Sequence, residues 1–293
     1  MCYSRTVLLQ HDVSPASSSE PQLDLAFHRT VGGTYLRRRR VRYPYAVLSP
    51  LWLDQPAGDV ATVIVHSLSG GIFEGERLDQ RIVVATDGRA CITNQGATIV
   101  HSMPGGGHAE HNVTLTLGCG AYLEYRPKPL VLFPGCRHRQ SLSVNMGAGS
   151  SVVLCDGFFG HDPTARGQVF DQLDSMLGIR GQDGQLLVAD RMLVSGDEAF
   201  DGAPGISHAV AAHGWMAALA PLSSSAAEEL RAQIATEISG LKGLYAGVCT
   251  LRGGGVFLRV AGESAASAQQ GLRLALIAAR IQLLGSPPST RLP

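Results

Sequence analysis

Residues 78–155 carry one pattern three times, and that pattern restricts what a chain of this kind can fold into. Arg81-Ile-Val-Val-Ala-Thr-Asp-Gly-Arg-Ala-Cys-Ile92 is a β-rich run, a glycine-bearing turn and a second β-rich run. Asn112-Val-Thr-Leu-Thr-Leu-Gly-Cys-Gly-Ala-Tyr-Leu123 repeats it, and so does Ser141-Leu-Ser-Val-Asn-Met-Gly-Ala-Gly-Ser-Ser-Val152. The turn glycines Gly88, Gly120 and Gly149 recur at roughly 30-residue intervals, a period typical of stacked supersecondary units. Each unit alternates apolar and polar residues, so it has one apolar face that needs a neighbour. Stacking supplies the neighbour, each layer covering the next. Three β-hairpins in a sandwich would satisfy the same alternation. The expected fold is mainly β, with stacked, solenoid-like strand layers and two helices near the C-terminus.

Composition agrees with a turn-dense β protein, since the chain has 35 glycines and only 16% charged residues. The 24 basic and 24 acidic side chains cancel, so no strong field would recruit nucleic acid or an anionic membrane. Six scattered cysteines form no CxxC pair, and reduced, mostly buried thiols are expected. No secretory apolar region opens the chain and no apolar run reaches membrane-span length. A cytoplasmic location is the expectation.

Taken in order, residues 1–22 read as a flexible tail and 23–293 as one domain, with β layers over about 23–220. Leu23–Phe27 alternates as a first strand. Four consecutive arginines, Arg37–Arg40, read as a strand whose charges guard a sheet edge rather than as a nucleic-acid contact. The prolines at 127, 129 and 134 argue against a central strand through 127–134, which is expected to be an extended crossing between layers. Strands are expected over Gln168–Leu173, Gln185–Val194 and Ile206–Leu219, with a turn at Gly181–Gly184. The period then changes. Ser225-Ala-Ala-Glu228 reads as a capping box for a helix with Leu230, Ile234 and Ile238 on its apolar stripe, ended by Gly240. Two strands, Tyr245–Leu251 and Val256–Val260, precede a second helix from about Ser264 to Leu284, closed by Gly285. Leu272, Leu276, Ala279 and Leu283 form its expected buried face. Helix, hairpin and helix make a cap over about 224–285.

The motifs of common chemistry are missing. There is no GxSxG elbow, no dinucleotide fingerprint, no phosphate loop with its lysine and no paired-carboxylate signature. The glycine-rich loop at Gly70, Gly71 and Gly75 therefore reads as backbone geometry. His108, Glu110 and His111 are the best metal-ligand candidates by composition, though solvated loop polarity is the favoured explanation of them. Asp156 closes an apolar strand, where it either caps the turn at the strand end or, if buried, needs a partner or an ion. Elimination leaves a protein that binds and positions.

Several stretches, in one order, resemble a known family. Gly70-Gly71-Ile72-Phe73-Glu74-Gly75-Glu76-Arg77-Leu78 resembles the GG(I/L)VxGDxL loop of the urease accessory protein UreD (UreH) family. Thr93-Asn-Gln-Gly96-Ala-Thr98 is similar to its TTxGA(T/S) segment, and Leu123-Glu-Tyr-Arg-Pro127 through Leu132-Phe-Pro-Gly135 to its LE(W/Y)xP…FxG segment. Asp156 stands at a VDW-type strand end, and Gly243-Leu-Tyr-Ala-Gly247 with the last helix also fits. The resemblance covers about residues 23–292. It departs at Glu76 for the usual Asp, at Ile99 for Lys, at His101 for Tyr and in an altered GRx4GE segment near His161–Gln168.

The resemblance implies a non-enzymatic scaffold that helps insert nickel into apo-urease. Its implied partners are a UreF-like helical accessory protein, a UreG-like GTPase and urease itself. No cofactor would be tightly bound, and Ni²⁺ would pass transiently along an internal, water-filled path. Glu76, His101, Glu124 and Asp156 are the candidate path ligands, with His108 and His111 as further candidates. A rival expectation is a metalloenzyme on a stacked-β scaffold, using His101, His108, His111 and His161. A carbohydrate-binding module would want exposed aromatic rings in a row, and an aromatic content of 6% gives no expectation of one.

Overall fold

The computed structural model describes residues 20–54, 59–200 and 210–289. Most of the expected tail and the opening residues of the strand expected at 206–219 lie outside the described residues. From Leu23 the chain forms β1 (Leu23–Thr30), β2 (Gly33–Val41), β3 (Tyr45–Val47), β4 (Ala61–Ser67), β5 (Arg77–Val84) and β6 (Arg89–Asn94). It continues through β7 (Thr98–Val100), β8 (Ala109–Leu117), β9 (Tyr122–Arg126), β10 (Leu130–Leu132), β11 (Arg137–Met146) and β12 (Ser151–Gly160). Next come β13 (Gln172–Arg180), β14 (Leu186–Val194), the short α1 (Gly196–Phe200) and β15 (Ala212–Leu219). Helix α2 (Ser224–Ser239), β16 (Leu244–Thr250), β17 (Gly255–Gly262) and helix α3 (Ala265–Leu284) complete the described residues.

The threefold pattern forms stacked arcs, not hairpins. In each repeat the first strand joins one sheet and the second joins the other, so β5, β8 and β11 pair in parallel, as do β6, β9 and β12. The turns stack as well, through Asp87 N to Cys119 O and Gly120 N to Ala148 O, each 2.9 Å. Strand register aligns Val84, Leu117 and Met146, which makes Asp87 the equivalent of Gly120 and Gly149. All three take left-handed backbone, with φ of 55°, 63° and 66°. The sequence points to Gly88 because glycine marks such turns, but aspartate also tolerates that conformation.

The result is two facing sheets. The first has seven strands in the order β14-β13-β11-β8-β5-β1-β2. The second has ten, in the order β16-β17-β15-β12-β9-β6-β4-β3, with β10 and β7 attached beside β12. Between them lies a core that includes Leu25, Ile82, Leu115 and Val144 from the first sheet and Val63, Ile92, Leu123 and Leu154 from the second. The outer face of the first sheet is a charge lattice. Asp24 pairs with Arg38 and Arg81, and Asp174 with Arg139 and Arg191. Strand β2 ends that sheet, so the arginine run does lie on an edge.

Helices α2 and α3 cover the outer face of the second sheet. Leu230, Ile234 and Ile238 of α2 meet Val153, Met216 and Leu258 there, with Leu276 and Ala279 of α3 beside them. The N-cap of α2 is Ser223, accepting from Ala226 N, two residues before the expected box. Ser264 and Ser267 form the capping box of α3, and Gly285 closes it in left-handed conformation. None of the helices among the described residues is long and apolar enough to cross a membrane.

Two further expectations need correction. Leu130–Leu132 is a strand after all, hydrogen-bonded in parallel between β7 and β12. Its prolines flank the three residues rather than interrupt them, and Pro129 still serves as acceptor for Thr98 N. The strand expected at Gln168–Leu173 begins only at Gln172 and runs on to Arg180.

Candidate functional site

Alternation assigns the inner face of each strand, and at one level that face turns polar. Along β8 the inward residues run Ala109, His111, Val113, Leu115; along β11 they run His138, Gln140, Leu142, Val144; along β13 they run Leu173, Ser175, Leu177. His111, Gln140 and Ser175 stand opposite one another in register. On one side of this level lies the main core and on the other a second apolar cluster with Leu78, Ala109, Phe158 and Leu173. The opposite sheet supplies Tyr125, Asp156 and Trp215. A polar layer thus crosses the sandwich between two apolar ones.

Hydrogen bonds knit this layer across the sheets. Gln80 Nε2 donates to Tyr45 Oη at 2.9 Å and lies 3.0 Å from His111 Nε2, while Tyr125 Oη donates to Gln80 Oε1 at 3.4 Å. Gln140 Nε2 donates to Asp156 Oδ2 at 2.7 Å and to Ser175 Oγ at 2.9 Å. The Gly157 amide donates to Asp156 Oδ1 at 2.7 Å.

The layer is open space rather than packed core. One cavity of about 500 Å³ runs from the Gly70–Gly71 and Asn94–Thr98 loops to Asp156. Another of about 610 Å³ continues from Asp156 to Met192, His213, Cys249 and Arg259. Gln140, Asp156, Ser175 and Trp215 border both. Asp156 therefore faces a cavity, not bulk solvent. Burial pushes its pKa up to about 6, against the opposing pull of the Gly157 amide and Gln140. Burial likewise holds His111 down to about 4, so it is a neutral nitrogen donor at pH 7.

Of the sequence candidates, Asp156 and His111 reach this layer, and Gly70, Gly71, Gly96 and Thr98 shape its mouth. Gly71 has no alternative: an added Cβ would lie 2.6 Å from Ile99 O and 2.7 Å from the His101 ring, at φ of 154°. Gly75 serves a left-handed turn nearby, with φ of 79°. The other candidates go elsewhere. Glu76 accepts from Phe73 N at 2.9 Å and closes its own loop. Glu124 points to the opposite face of its sheet, fully buried, with its carboxylate 2.8 Å from Arg280 and 3.2 Å from Arg126. His108 is exposed beside Glu110 at 3.2 Å.

His101 stacks on Phe73 with ring centroids 4.3 Å apart, and Phe133 and His161 extend the contact. A row of rings does exist, built half from imidazoles and so hidden from an aromatic count. The four histidines of the metalloenzyme expectation are not brought together, and the described residues hold no group of three or more His, Cys, Asp or Glu fit for a metal. Cys91, Cys136 and Cys155 are buried thiols pushed up to about 12, which makes them poor nucleophiles.

Gln80, Gln140 and Ser175 were missed because amides and hydroxyls match no ligand motif. Their signal is a polar residue on an otherwise apolar inward face, at one position each of β5, β11 and β13.

Comparison with known proteins gives one consistent result. A model of the UreD urease accessory protein family matches residues 19–292. A urease accessory protein UreD 2 of Bradyrhizobium sp. (strain ORS 278) is 32% identical over 250 residues, 85% of each chain. A UreD 1 of Pseudomonas syringae pv. syringae (strain B728a) is 29% identical over 286 residues, 96% of this chain and 98% of its own. A UreD of Haloarcula marismortui is 32% identical over 272 residues, 92% of this chain and 89% of its own. The stacked arcs, the glycine loop at the cavity mouth and these matches agree: the chain belongs to the UreD urease accessory protein family.

Proposed function

We propose that this protein takes part in urease maturation as a non-enzymatic scaffold, and that Ni²⁺ is its cargo. The ion would move through the polar layer between the sheets, past Asp156, on its way to apo-urease. A UreF-like helical accessory protein and a UreG-like GTPase are the proposed partners, in the cytoplasm. The edge strand β2 with its arginines and the exposed sides of α2 and α3 are the proposed docking faces.

One observation carries the reading: two cavities between the sheets share a wall at a half-buried carboxylate. At pH 7 Asp156 is ionised, its pKa being about 6, and a carboxylate in a low-dielectric interior attracts a cation strongly. Neutral donors line the same cavity, namely His111, Gln80, Gln140 and Ser175, and of these Gln140 touches Asp156. They can replace water molecules on the ion without adding charge. One charge with neutral donors binds more weakly than a closed set of anionic ligands, and a conduit must release what it binds.

The test is urease produced with its accessory proteins, with and without this chain. Nickel per urease active site is expected to be low without the chain and restored by it. Equal nickel in both preparations overturns the proposal.

A further inference from the structure

The two cavities of the proposed passage meet at the residues they share, the neck, and one of those side chains spans from sheet to sheet. Gln140 belongs to β11 of the first sheet and Asp156 to β12 of the second, so their 2.7 Å hydrogen bond ties the two sheets together. An amide nitrogen has two N–H donors. Here one goes to Asp156 Oδ2 and the other to Ser175 Oγ. The nitrogen thus sits where a carboxylate oxygen and a hydroxyl oxygen converge. That is the place a cation would occupy.

We infer that Gln140 is a gate: its amide stands in for the ion at the neck, and the arriving ion displaces it. This rests on reading the polar layer as a nickel passage. When Ni²⁺ reaches Asp156, the ion–carboxylate contact replaces the amide–carboxylate hydrogen bond. Gln140 swings off Asp156 on its flexible stem, and Ser175 Oγ becomes available as a second oxygen. When the ion leaves, the amide returns and parts the two cavities. The stand-in keeps the carboxylate satisfied between passages, which an empty buried charge would not be. Neighbouring Trp215, at 5% exposure and bordering both cavities, reports on the neck.

The chain has two tryptophans, Trp52 and Trp215, so a Trp52→Phe background isolates the reporter. The full chain is mixed rapidly with Ni²⁺ alone, and quenching of Trp215 fluorescence is followed in time. Gln140→Ala is expected to quench about tenfold faster or more, since a hydrogen bond to a charged group no longer has to break. Gln140→Glu, which keeps the size and adds a ligand, is expected to reach half-quenching at about tenfold lower Ni²⁺. Quenching in every protein, with rates and midpoints within about twofold of the parent, overturns the gate and leaves the passage standing. No quenching in any of them overturns the passage, and the gate with it.

Discussion

The Arg280 guanidinium of α3 lies 2.8 Å from the Glu124 carboxylate of β9, with both side chains buried. Arg280 also pairs with Asp54, whose other oxygen accepts from Ser289 N at 2.8 Å. One guanidinium therefore holds the last helix, the loop at Asp54 and the second sheet together. This relationship takes Glu124 out of the proposed nickel path and gives it a structural task.

Breaking that node leaves Asp54 buried without its cation and Glu124 with Arg126 alone. Arg280→Met is expected to lower stability by about 3–5 kcal/mol, read as the urea midpoint of the full chain. A shift below about 1 kcal/mol would show that the pair behaves like an exposed one.

His138 has 2% exposure, and neither ring nitrogen has a hydrogen-bond partner. Burial, and then His111, hold its pKa down to about 3, against an ordinary 6.5. The unfolded ring takes up a proton below pH 6.5 and the folded one does not, so stability falls as pH drops from 6.5 towards 3. His138→Leu is expected to raise stability by about 1 kcal/mol at pH 7 and by up to about 2 kcal/mol more at pH 5. Equal shifts in thermal unfolding at the two pH values would contradict this.

Asp156 runs the other way. Its pKa is raised from 3.8 to about 6, so the folded protein holds the proton more tightly than the unfolded chain. The carboxylate therefore costs stability, fully above pH 6 and less and less as pH falls from 6 towards 3.8. Asp156→Asn is expected to be more stable than the parent at pH 7.5, by about 2 kcal/mol, with the gain fading by pH 4. Unfolding curves at those two pH values check it. A site that destabilises its own fold is consistent with a site kept for function.

The stacked turns make a sharp structural prediction. A Cβ at Gly147 would lie 2.7 Å from Gly118 C and 2.8 Å from Leu117 O, both backbone atoms of the preceding turn. Gly147→Ala is expected to cost about 3 kcal/mol of stability by chemical denaturation. Free hairpins, which stack on nothing, would tolerate it.

The repeats made most of the fold legible. Alternating runs at a fixed spacing demand covered faces, and the caps at Ser264 and Gly285 bound the last helix correctly. What stayed hidden depended on residues distant in sequence. Arg280 continues the stripe of Leu272 and Leu276, where a charge looks misplaced until Glu124 and Asp54 arrive from elsewhere in the chain. Gln140 looks like ordinary strand polarity until Asp156 meets it across the sandwich. Glu124 and Asp156 are both path candidates in the sequence. Parity separates them, since Glu124 shares a face with Tyr122 towards the helices whereas Asp156 shares one with Leu154 towards the opposite sheet.

The central claim, passage of nickel by way of Asp156, is tested most directly by the nickel content of urease matured with the Asp156→Ala protein. Glu124→Gln, placed outside the path, is the matched control, and both are compared at equal amounts of soluble protein. At least a several-fold fall in nickel per urease is expected with Asp156→Ala, with the control close to the parent. Full nickel occupancy with Asp156→Ala would contradict the account.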